Sequence, residues 1–190
     1  MSFDQMMIHY SAPTLCGIKS GNLFFIKKTD FSESLFCKWK KKLEHFGFSL
    51  ESAKSSKDTV FILVYNPLWL RNLLGDILVS SYLSGKGYKS PLHTDYVVGE
   101  LVRRIKSQKD FPHEVGIILG YPIQDVIEFE NQKGRNCRYC GYWKTYSDVE
   151  NAKKCLCSYK ECSCMCKNWF DKGYSVSRII SEYNKAVHAA

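Results

Sequence analysis

Phe111-Pro-His-Glu-Val-Gly-Ile-Ile-Leu-Gly-Tyr-Pro122 reads as a short apolar strand, Val115 to Leu119. The strand breaks at Gly120-Tyr121-Pro122 and hands over to a helix with Asp125 in its first turn. The same grammar occurs earlier. Thr59-Val-Phe-Ile-Leu-Val-Tyr65 is a continuous apolar run of the kind buried on both faces, and Asn66 and Pro67 follow it as N-cap and first helical residue. Two strand–turn–proline–helix units predict an α/β fold. The expectation is a single three-layer domain over residues 1–190, with a mostly parallel central sheet of about four strands flanked by helices.

Working outward, Leu23 to Lys28 reads as a first strand and Ser32 as the cap of the helix after it. Leu35, Phe36, Trp39, Leu43 and Phe46 share one face of that helix, and Gly47 stops it. The helix from Asn66 turns Leu70, Leu73, Leu74, Ile77 and Leu78 inward until Gly85 and Gly87 end it. Thr94 caps another, with Val97, Val98, Leu101, Val102 and Ile105 inward and Glu100 paired with Arg104 outside. A short strand, Tyr142 to Tyr146, and two helices near 149–170 and 175–188 complete the chain. In a parallel sheet, the loops at the carboxyl ends of the strands form the default ligand site, here including Tyr65, Asn66, Gly120 and Tyr121.

The 190 residues are enough for a core without disulfide staples, and 45% hydrophobic with 24% charged residues is the balance of an ordinary globular chain. Met1 to Ile8 carries Asp4 and no cationic region, so no signal peptide is expected. The most apolar run, Val60 to Leu83, is interrupted by Asn66, Pro67, Arg71 and Asp76, which argues against a membrane span. The expected location is the cytoplasm. Thiols there stay reduced, so clustered cysteines, nine in all, point to metal binding or redox turnover rather than a disulfide framework.

Seven of the nine cysteines lie between Cys137 and Cys166, within a basic, largely helical part at 137–190. Residues 131–190 hold 11 Lys/Arg against 5 Asp/Glu, most of the net charge of +8. That surface favours an acidic or redox partner protein, or a phosphate. The lack of an RNA-binding signature or finger spacing puts nucleic acid behind them. Cys137 and Cys140 form C-x-x-C, a spacing suited to a metal knuckle or a dithiol. Along the following helix, Cys162 and Cys166 each fall within about 20° of Cys155, on one face. Two readings share that geometry. The three are small buried hydrophobes, or Cys162 and Cys166 join Cys137 and Cys140 in a zinc or iron–sulfur site. Cys157 and Cys164 lie on the opposite face, while Cys16 and Cys37 look incidental.

His113 and Glu114, directly before an expected strand, are candidates for acid–base work or for a buried hydrogen-bond network. Thr14, Lys19, Tyr121 and Lys144 are candidates for holding a small anion, with a flavin or nucleotide as the alternative ligand class. No Ser-His-Asp motif, H-E-x-x-H or paired-carboxylate pattern supports a hydrolase.

Three segments carry a resemblance: His9-Tyr-Ser-Ala-Pro-Thr-Leu-Cys-Gly-Ile-Lys19, Phe111 to Pro122 with Asp125-Val126, and Cys140-Gly-Tyr-Trp-Lys-Thr-Tyr146. Together they resemble a family of small bacterial proteins known as a domain of unknown function and common in anaerobic Gram-positive bacteria. The resemblance spans nearly the whole chain. It implies a bacterial cytosolic protein of an anaerobic setting and brings no activity with it. Cys140 matches the family pattern, whereas Cys155, Cys157, Cys164 and Cys166 look like this chain's own departure. That shifts weight from a shared four-cysteine site toward a pocket around Thr14, Lys19, His113, Glu114, Tyr121 and Lys144.

Overall fold

A computed structural model describes residues 1–54, 58–107 and 110–188. Its sheet has three strands, β1 (Gly21–Lys27), β2 (Ser49–Lys54) and β3 (Thr59–Tyr65), in the order β1-β3-β2. The central strand, β3, runs antiparallel to both neighbours, with Phe24 opposite Ile62 and Leu50 opposite Val64. Its side chains alternate between two cores. Val60, Ile62 and Val64 join α1 (Phe3–Leu15), α2 (Glu33–Glu44), α8 (Val149–Asp171) and α9 (Val176–His188) on one face. Phe61, Leu63 and Tyr65 meet α3 (Pro67–Leu74), α4 (Ile77–Gly85), α5 (Thr94–Ser107), α6 (Val115–Ile118) and α7 (Ile123–Asn131) on the other. A separate hairpin pairs β4 (Tyr139–Cys140) with β5 (Lys144–Thr145). Among the described residues, no helix is long and apolar enough to cross a membrane.

This arrangement corrects the expected mostly parallel four-stranded sheet. The apolar run at β3 does report burial on both faces. Burial comes from helices packed above and below, however, and it says nothing about strand direction. The second supposed strand is the short helix α6. Its carbonyls are taken up locally, Leu119 N to Val115 O at 3.0 Å and Tyr121 N to Gly116 O at 2.9 Å. A buried apolar run of this length has the same composition in a helix as in a strand. Without a parallel sheet, the strand-end ligand site loses its premise.

Local signals elsewhere read well. Ser32 caps α2 through Leu35 N, and Asn66 caps α3 through Trp69 N with Pro67 first in the helix. The helix from Asn66 differs in one respect: it stops at Gly75, and Asp76 caps a new helix, α4. The kink leaves Ile77 and Leu78 exposed at 79% and 56% rather than inward. Arg104 also departs from expectation. It pairs with Glu100 as the spacing suggests, but it is buried and reaches Glu114 as well. An N-terminal helix, α1, precedes the first strand that the sequence marks. It is buried around most of its circumference, so it lacks the amphipathic stripe that marks a surface helix. Its signature is the capping box of Ser2 and Gln5.

Candidate functional site

The link between α1 and β1 places two chemical groups a few residues apart. Gly17 takes a left-handed conformation (φ +74°), and α1 closes with Gly17 N donating to Thr14 O at 2.9 Å and Ile18 N to Pro13 O at 3.0 Å. This paired closure of a helix needs a residue without a Cβ at the reversal. Cys16, just before the glycine, stays in the α1–α8–α9 core. Lys19, just after it, turns toward the hairpin and α8.

At Cys16 the packing of α1 against α8 creates a cluster of three thiols. The sulfurs of Cys16, Cys162 and Cys166 lie within 4.8 Å of one another, all buried, and those of Cys16 and Cys166 are 3.4 Å apart. Among the described residues, no other group of three or more His, Cys, Asp or Glu side chains meets this spacing. The Cys162 thiol is pulled well below its ordinary range by hydrogen bonds from Cys16, then Cys166, with Tyr183 adding to them. The Cys16 thiol is pushed far up, first by its bond to Cys162, then by Cys166 and by burial. Of the three thiols, Cys162 is the one whose ionisation its neighbours' hydrogen bonds favour.

Lys19 is 3% exposed. Its Nζ lies 5.7 Å from the centre of the Tyr121 ring, 5.6 Å from Tyr142 and 5.9 Å from Tyr159. Among the described residues no carboxylate or carbonyl pairs with it, and burial lowers its pKa to about 8. It borders a cavity of about 290 Å³ that also touches His9, Tyr10, Asn22, Tyr121 and Tyr142. Thr14 Oγ1 donates to Asn22 Oδ1 at 2.7 Å, which fixes the amide of Asn22 at this cavity.

Tyr121 and Tyr142 also border a second cavity, of about 340 Å³, between α6, α7 and the β4–β5 hairpin. Its walls are largely aromatic, with Phe111, Phe129 and Trp143, the last stacked on Tyr121 at 5.1 Å. Asp125 anchors the hairpin. Its carboxylate accepts from Trp143 Nε1 at 2.6 Å and from the backbone N–H groups of Tyr146 and Ser147 at 2.8 Å each.

The profile of a family described as Protein of unknown function (DUF3793) matches residues 7–180. The chain belongs to that family. No curated protein and no solved structure matches it. The DUF3793 match includes all three clustered cysteines and the residues of both cavities, while Tyr183 lies beyond it.

Within this DUF3793 fold the predicted site residues fall into separate groups. His113 and Lys144 meet Tyr121 around the larger cavity; the His113 ring stands edge-on to Phe129, and Lys144 Nζ donates to Gly134 O at 2.6 Å. Lys19 lines the smaller one, and Thr14 stands behind it, bonded to Asn22. Glu114 is turned away from both. It accepts from Arg104 Nη1 at 2.9 Å and from Tyr88 OH at 3.2 Å, inside the core of α3–α7. Cys162 and Cys166 meet Cys16 rather than Cys137 and Cys140, which stay on the hairpin side with Cys140 lining the larger cavity. Sequence reasoning passed over Cys16, which is 150 positions from Cys166. No spacing rule links residues so far apart, and only the docking of α1 on α8 could reveal the contact.

Proposed function

We propose that this chain is a metal-binding protein that holds a single thiophilic ion at Cys16, Cys162 and Cys166, with the Tyr183 phenol beside Cys162. The observation that carries this reading is the gathering of three buried sulfurs within 4.8 Å. Thiolates bound tetrahedrally to one zinc ion at about 2.3 Å stand roughly 3.8 Å apart, a spacing these sulfurs reach with little movement. In a 4Fe–4S cluster each thiolate sits on a different iron, and in a 2Fe–2S cluster only two thiolates share an iron, so three cluster ligands cannot all be as close together as these sulfurs are. A single ion therefore fits the donor set better than a cluster. The depressed Cys162 thiol supports the reading further, because a thiolate is the form that binds metal.

Native mass spectrometry of anaerobically purified protein, compared with its denatured mass, tests this. We expect one zinc per chain, exchangeable for cadmium with a sulfur-to-cadmium absorption band. Both signals should be lost in Cys162→Ala and kept in a Cys137→Ala/Cys140→Ala double variant. Protein that stays metal-free and takes up no cadmium would refute the proposal.

The 3.4 Å contact of Cys16 and Cys166 favours one further reading, a redox dithiol. Oxidation would join the two sulfurs and pass two protons and two electrons to a disulfide such as oxidised glutathione, which leaves as two thiols. A Cys16–Cys166 crosslink in the metal-free protein would distinguish this reading from the first.

A further inference from the structure

Lys19 is a buried cation without a counter-charge among the described residues. Removing an ammonium group from water is costly unless hydrogen bonds or an opposite charge compensate. Here three phenol rings supply partial compensation from 5.6 to 5.9 Å. The titratable groups facing the site are Tyr121, Tyr142 and Tyr159, with His9 and Tyr10 also lining the cavity, and no carboxylate among the described residues pairs with the ammonium. The site is built as well as charged. Thr14 fixes the Asn22 oxygen, which leaves the amide N–H groups of Asn22 without a partner among the described residues at the cavity wall. Tyr10, Pro13, Leu23 and Leu119 supply apolar and aromatic wall, and Ser163, whose hydroxyl donates to Tyr159 O, completes the lining.

We propose that Lys19 and Asn22 bind a small monocarboxylate, with its carboxylate on the Lys19 ammonium and its apolar body in the cavity of about 290 Å³. A single buried cation matches a single negative charge. A phosphate dianion would call for a second cation, and the aromatic walls favour a hydrophobic body over a bare inorganic ion. Carboxylate binding supplies the missing counter-charge and favours the protonated amine. This site shares no residue with the thiol cluster, so it goes beyond the metal reading and can fail independently of it.

The test uses the full chain with benzoate, acetate and inorganic phosphate as probes, chloride as the ionic-strength control, and calorimetry as the readout. We expect saturable one-to-one binding of benzoate at pH 7, tighter than acetate because the ring is buried, with phosphate weakest. Lys19→Met should weaken benzoate by roughly 30-fold or more, the usual consequence of removing one partner of a buried charge pair. A direct measurement on the unaltered chain, NMR of carbon-labelled lysine, should show the Lys19 pKa rising as benzoate saturates. Absence of saturable benzoate binding overturns the proposal, as does equal affinity in a folded Lys19→Met variant or phosphate displacing benzoate at lower concentration. Should that variant not fold, an unmoved Lys19 titration in the presence of benzoate overturns it just as well.

Discussion

Lys19 couples the stability of the protein to pH in a direction opposite to that of a surface lysine in an ion pair. Burial lowers its pKa from 10.5 to about 8. Between these values the unfolded chain binds the proton that the folded chain has released, so this residue's contribution to stability rises with pH through that window. Below pH 8 both states are protonated, and the buried charge costs on the order of 3 kcal/mol. We expect Lys19→Met to raise the urea midpoint at pH 7 and to lose that advantage progressively toward pH 10; a pH-independent difference would refute this. Taking the difference between the two proteins removes the tyrosines and thiols, which also titrate at alkaline pH. Cys16 makes the second prediction at this scale. Cys16→Ala keeps a small buried side chain but removes one sulfur of the proposed metal site and one hydrogen bond to Cys162. The Cys162 thiol should then titrate at higher pH, which alkylation rates of metal-free protein under mild denaturant would report.

The α1–β1 link and the β4–β5 hairpin are the elements that assemble the sites, and each hangs on a local device. Gly17 adopts φ +74° with no atom near its missing Cβ, so Gly17→Ala meets backbone strain rather than a clash. We expect a loss of about 1 kcal/mol in thermal or urea unfolding. Gly21 is the opposite case, because a Cβ there would stand 2.7 Å from Ile118 O and 3.2 Å from Val64 O, both backbone atoms that cannot rotate away. Gly21→Ala should therefore cost more than Gly17→Ala and disturb the contact of β1 with α6. The hairpin depends on Asp125. Tyr146 N and Ser147 N share Oδ1 while Trp143 Nε1 takes Oδ2, so an Asn with its oxygen on the backbone side turns its amide nitrogen to Trp143 and gives both backbone donors a weaker, uncharged acceptor. We expect Asp125→Asn to cost roughly 2 kcal/mol and to speed amide exchange at these two residues first. Unchanged exchange there would mean that the hairpin is held by its ring contacts instead.

At the scale of the whole molecule, β3 joins two cores that otherwise have separate residue sets. Phe61 and Ile62 are consecutive, both fully buried, and belong to opposite cores. We expect Phe61→Ala and Ile62→Ala each to cost about 3 kcal/mol or more and to leave a single unfolding transition, identical by near- and far-UV circular dichroism. Separate transitions would mean that each helical layer unfolds independently of the sheet. By itself the sequence determined what depends on neighbours along the chain. Ser32 and Asn66 mark helix starts, Gly47 and Gly85 lie at helix ends, and the run Thr59–Tyr65 is a strand buried on both sides. The helical spacing of Cys162 and Cys166 likewise put both on one buried face of α8. Only the tertiary structure decided strand direction, because burial on two faces is the same for parallel and antiparallel neighbours. It also decided that Val115–Ile118 is helical, a choice for which so short an apolar run holds no periodicity. Finally, it brought Cys16 to Cys166 and Lys19 to Tyr159, since contacts between α1, the strand after it and α8 arise from packing energies summed over whole elements, which no local pattern records.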